Sequence, residues 1–293
     1  MRIGTRASAL ALAQAAWVAQ RLEGAGVDIE IVKITTLGDR GAAVADKSRW
    51  VSELERALLD DRIDVAVHSA KDVPTELGEG LELVAVPPRA DPHDVICGAR
   101  GLGDLRPGAR IGTSSVRRAA QLRAVRDDVE VVELRGNVDT RLRKLAEGEV
   151  DAVVLALAGL ERLGRAGEAG GVIDEFVPAA GQGALALEAR SGALETSVLG
   201  AVSDTSSMEC LGTERELVHA LGASCNTPVG AHARALGDGQ LELVGWVGLP
   251  DGSAWLRDAV SGAPEAVGAQ CARRMLAAGA ADLLARAETE LAA

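Results

Sequence analysis

Along roughly the first two hundred residues, short apolar runs of strand length alternate with segments of helical spacing, and this restricts that part of the chain to an α/β architecture. Val65-Ala-Val67 is the clearest of these runs. It reads as an interior strand of a parallel sheet, and Pro74 stops regular pairing soon after it. The alternation begins with a strand over 2–4, a helix over 8–23, a strand over 28–35, a helix over 51–59 and a strand over 63–67. Val51, Leu54, Leu58 and Leu59 recur at helical spacing and are expected to face the sheet. With one Phe and no Tyr, the cores must be built from Ala, Val, Leu and Ile.

The prolines in Val86-Pro-Pro-Arg-Ala-Asp-Pro-His-Asp94 interrupt this pattern and suit a crossing between domains. A second alternating unit follows, with strands over 109–112, 129–133 and 151–156 and helices over 114–124, 138–147 and 158–163. Pro178-Ala-Ala-Gly-Gln-Gly183 and the apolar run behind it return the chain to the first unit, and such double crossings make hinges. Beyond about residue 205 the pattern changes to a helix over 207–222, turn-linked strands such as Gln240 to Val247, and a closing helix over 264–290. The expected division is 1–88 with 183–204, then 89–182, then an α+β domain with an antiparallel sheet over 205–293.

The start Met1-Arg-Ile-Gly-Thr-Arg6 runs into a strand without a leader-like apolar region, and no apolar run approaches the ~20 residues needed to span a bilayer. A cytoplasmic location is expected, with the cysteines at 97, 210, 225 and 271 as free thiols. These cysteines lack CxxC spacing and have too few histidines nearby for a zinc site. A net charge of −12 argues against a nucleic-acid or anionic-membrane binder. Residues 106–165 are the exception: twelve Arg or Lys face nine Asp or Glu, so this stretch carries +3 and the remainder −15. Eleven of those twelve cations are arginines, the side chain suited to bidentate carboxylate or phosphate contacts. A small polyanion fits this island better than a nucleic acid.

The arginines recur where strands give way to helices. Gly112-Thr-Ser-Ser-Val-Arg-Arg118 places Ser115, Arg117 and Arg118 at one such junction, and Arg135-Gly-Asn-Val-Asp-Thr-Arg141 repeats the arrangement. Arg162 follows a third strand, and Arg6 and Ser8 open a helix after the first, where Ser8 also reads as an N-cap. The same arginines also read as solvated helix-surface charges. In Asp64-Val-Ala-Val-His-Ser-Ala-Lys-Asp-Val-Pro74, His68, Ser69, Lys71 and Asp72 cluster at the carboxyl edge of the sheet, where open α/β folds bind ligands; a solvated turn is the alternative. Cys225 lies in a loop of turn formers, Gly222-Ala-Ser-Cys-Asn-Thr-Pro-Val-Gly230, and with no base motif beside it a covalent attachment point is a better reading than a hydrolytic nucleophile. Cys97, Cys210 and Cys271 read as core residues.

Taken in order, these motifs resemble the porphobilinogen deaminase (hydroxymethylbilane synthase) family, and the resemblance runs nearly end to end. It is carried by Thr5-Arg-Ala-Ser8, His68 to Pro74, Gly112 to Arg118, Leu134-Arg-Gly-Asn137 with Thr140-Arg141, Ala158-Gly-Leu-Glu-Arg-Leu-Gly164, Pro178 to Gly183 and the Cys225 loop. It implies two domains like those of periplasmic binding proteins, a cleft between them, and a smaller third domain. It implies a transferase of tetrapyrrole (haem) biosynthesis that joins four porphobilinogens head to tail, releasing ammonia each time and finally hydroxymethylbilane. A dipyrromethane cofactor in thioether linkage to Cys225 is implied, as is a cytoplasmic monomer. Each pyrrole carries an acetate and a propionate, so Arg6, Ser8, Lys71, Ser115, Arg117, Arg118, Arg135, Arg141 and Arg162 are expected to bind cofactor and substrate carboxylates. Asp72 is expected to stabilise the azafulvene cation left by ammonia and to act as general acid and base.

One segment departs from the family's usual glycine-rich loop: Val44-Ala-Asp-Lys-Ser-Arg-Trp50 is shorter and has fewer glycines, though Lys47 and Trp50 align with the family's lysine and phenylalanine as cleft-loop residues. A cytosolic binding protein for an organic anion would share the two-domain cleft, and Cys225 with the third domain discriminates the two readings. A phosphoryl transferase would need a P-loop or paired metal carboxylates, which the sequence lacks.

Overall fold

The computed structural model describes residues 1–34, 48–194, 196–223 and 227–292. The chain begins with β1 (Arg2–Arg6), α1 (Ala9–Gly24), β2 (Glu30–Ile34), α2 (Ser48–Leu59), β3 (Val65–Ser69) and β4 (Leu81–Ala85). It continues through β5 (Asp94–Cys97), β6 (Arg110–Thr113), α3 (Val116–Val125), β7 (Glu130–Glu133), α4 (Val138–Ala146), β8 (Ala152–Ala156), α5 (Leu157–Arg162) and β9 (Gly171–Val172). β10 (Leu185–Arg190) and α6 (Thr196–Leu199) precede the last unit, α7 (Thr205–Ala220), β11 (Val229–Gly237), β12 (Gln240–Gly248), β13 (Trp255–Gly262), α8 (Pro264–Ala277) and α9 (Ala280–Ala292).

Among the described residues the strands form two five-stranded sheets, ordered β2-β1-β3-β10-β4 and β7-β6-β8-β5-β9, and a three-stranded antiparallel sheet β11-β12-β13. In each larger sheet the first three strands run parallel, and the next enters antiparallel to its neighbour. This is the expected fold class, two α/β domains and a smaller C-terminal domain. The chain leaves the first sheet at Ala85, joins the second at Asp94, and returns at Leu185.

β3 runs two residues further than the sequence pattern indicates, to Ser69 rather than Val67. Ser69 and His68 are paired by Leu185 and Ala186 of β10, a partner more than one hundred residues away that local periodicity does not reveal. On α2, Val51, Leu54 and Leu58 are buried as expected, but Leu59 is 53% exposed and Ala57 is buried with them. Leu59, the last residue of its helix, turns to solvent. Fully burying one such leucine contributes roughly 1.5–3 kcal/mol, so a few aliphatic side chains per face hold each helix to its sheet.

The closing helix expected over 264–290 is instead two helices. Gly279 takes a positive φ of +101°, a conformation that favours glycine and ends α8. The reversal lets Ala280 and Leu284 of α9 join Val267, Cys271 and Met275 of α8 in one core with Leu217, Leu243 and Val247.

The C-terminal domain is fastened to both crossings by one side chain. Glu214 of α7, fully buried, accepts hydrogen bonds from Arg89 Nη1 (2.6 Å) and Nη2 (3.2 Å), from the backbone N–H of Gly181 (2.7 Å) and from that of Ala233 (2.7 Å). Burial alone would raise its carboxyl pKa; the Arg89 guanidinium, and His232 with Nδ1 3.5 Å from Oε1, hold it below the ordinary 4.5. Breaking such a pair leaves an uncompensated buried charge, so Glu214→Gln should destabilise the fold by about 3–5 kcal/mol at neutral pH. Because the folded-state pKa is depressed, this contribution is present above the ordinary glutamate range and lost as pH falls through the folded value. Urea denaturation should therefore show a wild-type advantage at pH 7 that shrinks on acidification; equal midpoints at pH 7 would contradict the assignment.

Candidate active site

Directly after β3, residues Ala70–Asp72 form a single 3-10 turn that carries Lys71 and Asp72. Its first residue is held from outside, Ala70 N–H donating to the Ala184 carbonyl (3.0 Å), and the turn closes on itself with Val73 N–H donating to the Ala70 carbonyl (3.2 Å). Gly181, at φ +73°, passes so close that a Cβ there would lie 2.9 Å from Ala70 C and Lys71 N. Only glycine allows the second crossing to press against this turn.

Asp72 lines a pocket at the carboxyl edge of the first sheet together with Arg6, Ser8, Gln14, His68 and Ser69. Ser8 caps α1 by accepting from Ala11 N–H (3.3 Å), and Gln14 donates from the helix's next turn to the Ser69 hydroxyl (2.8 Å). His68 Nε2 lies 2.9 Å from Glu188 Oε2, and both side chains are buried. Lys71 Nζ donates to Gln182 Oε1 (3.3 Å), which belongs to the returning crossing.

Gln182 connects this turn to the second sheet. Its Nε2 donates to Asp94 Oδ1 (2.9 Å), at the start of β5. Arg118 donates to that oxygen through Nε (2.9 Å), and Arg117 Nη2 lies 2.8 Å from Asp94 Oδ2. Arg117 also donates to the Val177 carbonyl (2.7 Å) and Arg118 to that of Val154 (3.1 Å). Burial would raise the Asp94 carboxyl, but the two guanidinium charges hold it well below the usual carboxylate range. Arg117, itself shifted down by burial, is only 4% exposed and Arg118 6%. Two cations around one carboxylate leave a net +1 at the head of α3, where Ser115 is the N-cap and accepts from Arg118 N–H (3.4 Å).

Arg141 donates to the Gly136 carbonyl (2.9 Å) and the Ser114 hydroxyl (2.8 Å), and Arg162 donates to the Gly183 carbonyl (2.7 Å). Burial brings both down to about 10, for Arg141 with help from the Arg118 charge. Both remain cationic at neutral pH, and a partner carboxylate would offset the desolvation they bear. Arg135 differs: it is exposed and paired with Glu133 (2.7 Å).

The fold thus brings Arg6, Ser8 and Asp72 into one pocket and ties Lys71 through Gln182 to the Asp94 pair. Lys47, Cys225 and the side chain of Trp50 lie outside the described residues. Cys97, Cys210 and Cys271 are buried free thiols, as expected. Gln14, Asp94, Gln182 and Glu188 were absent from the sequence-based site. Asp94 and Gln182 stand in segments the sequence marks as crossings; Gln14 and Glu188 carry no local signal.

Comparison with known proteins agrees with the motif order. The family model described as porphobilinogen deaminase, dipyromethane cofactor binding domain, matches residues 1–197, and that of the porphobilinogen deaminase C-terminal domain matches residues 208–277. The porphobilinogen deaminase of Deinococcus deserti is 49% identical, covering 96% of this chain and 97% of its own. Those of Thermus thermophilus and Brevibacillus brevis are 46% and 43% identical, each covering 97% of this chain and 98% and 96% of their own. With both family models matched in order and identity at this level over almost the whole length, the chain belongs to the porphobilinogen deaminase family.

Proposed function

We infer that this protein is a hydroxymethylbilane synthase, a transferase that condenses four porphobilinogens head to tail in tetrapyrrole biosynthesis. The observation that carries the reading is the placement of Asp72 in a pocket with Arg6 and Ser8, beside a turn whose Lys71 is tied to the cationic second sheet. A cytoplasmic monomer fits this role, and among the described residues no helix is long and apolar enough to cross a membrane.

The donor set suits a group bearing acetate and propionate carboxylates. Arg141 and Arg162 are desolvated cations, and the Asp94–Arg117–Arg118 group adds a net positive charge behind Ser115. We assign Arg6, Ser8, Lys71, Ser115, Arg141 and Arg162 to holding dipyrromethane and substrate carboxylates, with Arg117 and Arg118 as the buried cationic backing and Arg135 at the rim. Cys225 is the attachment point by its place in the sequence. When bound, dipyrromethane supplies the free pyrrole carbon from which the product is built.

Asp72 acts on the substrate. As the C–N bond of the aminomethyl group breaks and ammonia leaves, positive charge spreads over the pyrrole, and a fixed carboxylate stabilises it as it develops. A C–C bond then forms at the methylene carbon, and the attacked ring loses the proton from its free α-carbon, for which Asp72 is the acceptor. Strand membership supports domain limits of 1–88 with 183–204, 89–182, and 205–293.

Asp72→Asn should keep the covalent cofactor and cut turnover by at least about 100-fold, read from hydroxymethylbilane formation and intact mass; near-normal turnover would remove Asp72 from the chemistry. Arg162→Gln should raise the KM for porphobilinogen by about 10- to 100-fold, as expected for one lost charge-assisted contact. An unchanged KM would place Arg162 outside the binding set.

Burial, with Glu168 near Cys97 and Asp258 near Cys271, pushes both thiols up to about 11. At pH 8 roughly one in a thousand of either is then thiolate. Folded protein treated with iodoacetamide should therefore remain unlabelled at Cys97, Cys210 and Cys271, and its intact mass should exceed that of the bare chain by one dipyrromethane. The bare mass in active protein would refute the attachment.

A further inference from the structure

α7 lies against the turn that carries Lys71 and Asp72, and it touches that turn in two ways. Met208 and Leu211, at helical spacing, belong to one apolar core with Ala70 and Val73, the residues flanking Lys71 and Asp72. One turn further along the same face, Arg215 reaches over the segment that follows. Its Nη1 donates to the Val73 carbonyl (3.2 Å), and its Nη2 to the carbonyls of Pro74 (2.6 Å) and Thr75 (3.0 Å). Residues 73–75 belong to no strand or helix, so no ladder supplies donors to their carbonyls and these must come from elsewhere.

A guanidinium spanning three successive carbonyls restrains both position and orientation, which a single donor would not. The cation is buried enough to be shifted down, against the opposing pull of Glu188. Glu188, on β10, is the fully buried carboxylate that holds His68 at the base of the Asp72 pocket. The turn is therefore braced from α7 on one side and from β10 on the other.

We propose that Arg215 is a positioning residue for Asp72: by gripping the carbonyls of residues 73–75 it fixes the 70–72 turn, so that the C-terminal domain sets where the carboxylate stands in its pocket. The helix that provides this grip ends at Ala220, five residues before Cys225 in the sequence. One element thereby serves both the assigned acid–base group and the loop of the assigned attachment thiol. The proposal rests on the reading of Asp72 given above.

The test uses the full chain with its cofactor. Arg215→Gln should lower kcat by about 10- to 100-fold, the cost of a carboxylate displaced by about 1 Å, while KM stays within about threefold and the cofactor mass is retained. Amide hydrogen exchange over residues 70–76 should quicken, and Arg215→Lys, which keeps the charge but not the fork, should fall between. Arg123→Gln is the control, because Arg123 ties α3 to the Pro250 carbonyl (2.7 Å) of the C-terminal domain without touching the turn; its kcat should match wild type. A lower melting temperature with wild-type kcat and wild-type exchange over 70–76 would reduce Arg215 to a structural contact and overturn the proposal. Should Arg215→Gln not fold, Arg215→Lys decides the same question. Wild-type protein that leaves porphobilinogen unconsumed would refute the proposed function instead, and the exchange measurement would still judge the brace.

Discussion

A carboxylate with no access to water sits where three parts of the chain meet. Glu214 accepts from Arg89 on the outgoing crossing, from Gly181 on the returning one and from Ala233 in the C-terminal sheet. Stripped of solvent, such a charge is tolerated only while these donors stay in place, so the three segments are held in one relative arrangement. The position of Gly181 then matters beyond the joint itself, because that residue presses on the Ala70–Lys71 backbone. The carboxylate thus bears indirectly on the turn that carries Asp72.

Asp94, at the start of β5 in the second sheet, plays a related part, but there charge is left over. Its single carboxylate organises two guanidinium groups, and through Gln182 the arrangement continues to Lys71. A series of polar contacts therefore runs from one sheet to the other without reaching bulk solvent at Asp94. Such a network sets the direction of positive potential in the site before any ligand arrives, which is the condition for stabilising charge without reorganisation.

What could be read from the sequence was local. Strand and helix alternation, the cap at Ser8, and the return of arginines at strand ends all depend on residues within a turn or two of each other, and they appear in the fold as expected. What could not be read depends on distant partners. Arg117 and Arg118 look like open ligands in their own motif because Asp94 lies more than twenty residues away. β3 extends through His68 and Ser69 because β10 pairs with them, and Glu188 reaches His68 from that same strand. Leu59 and the break at Gly279 were lost for another reason: apolar periodicity does not say where a helix runs out of core to cover.

The insertion of β10 between β3 and β4 has a consequence for synthesis on the ribosome. β3 and β4 emerge early, yet the strand that joins them is completed only at Arg190. At ~5–20 residues per second, the nascent chain spends several seconds with two apolar strands whose facing edges have no partner. During that interval the second sheet can form entirely from residues already outside the tunnel, so the later domain in sequence is the earlier one able to close. The edge strands waiting for β10 are where a translating cell would have to guard this chain against association with its neighbours.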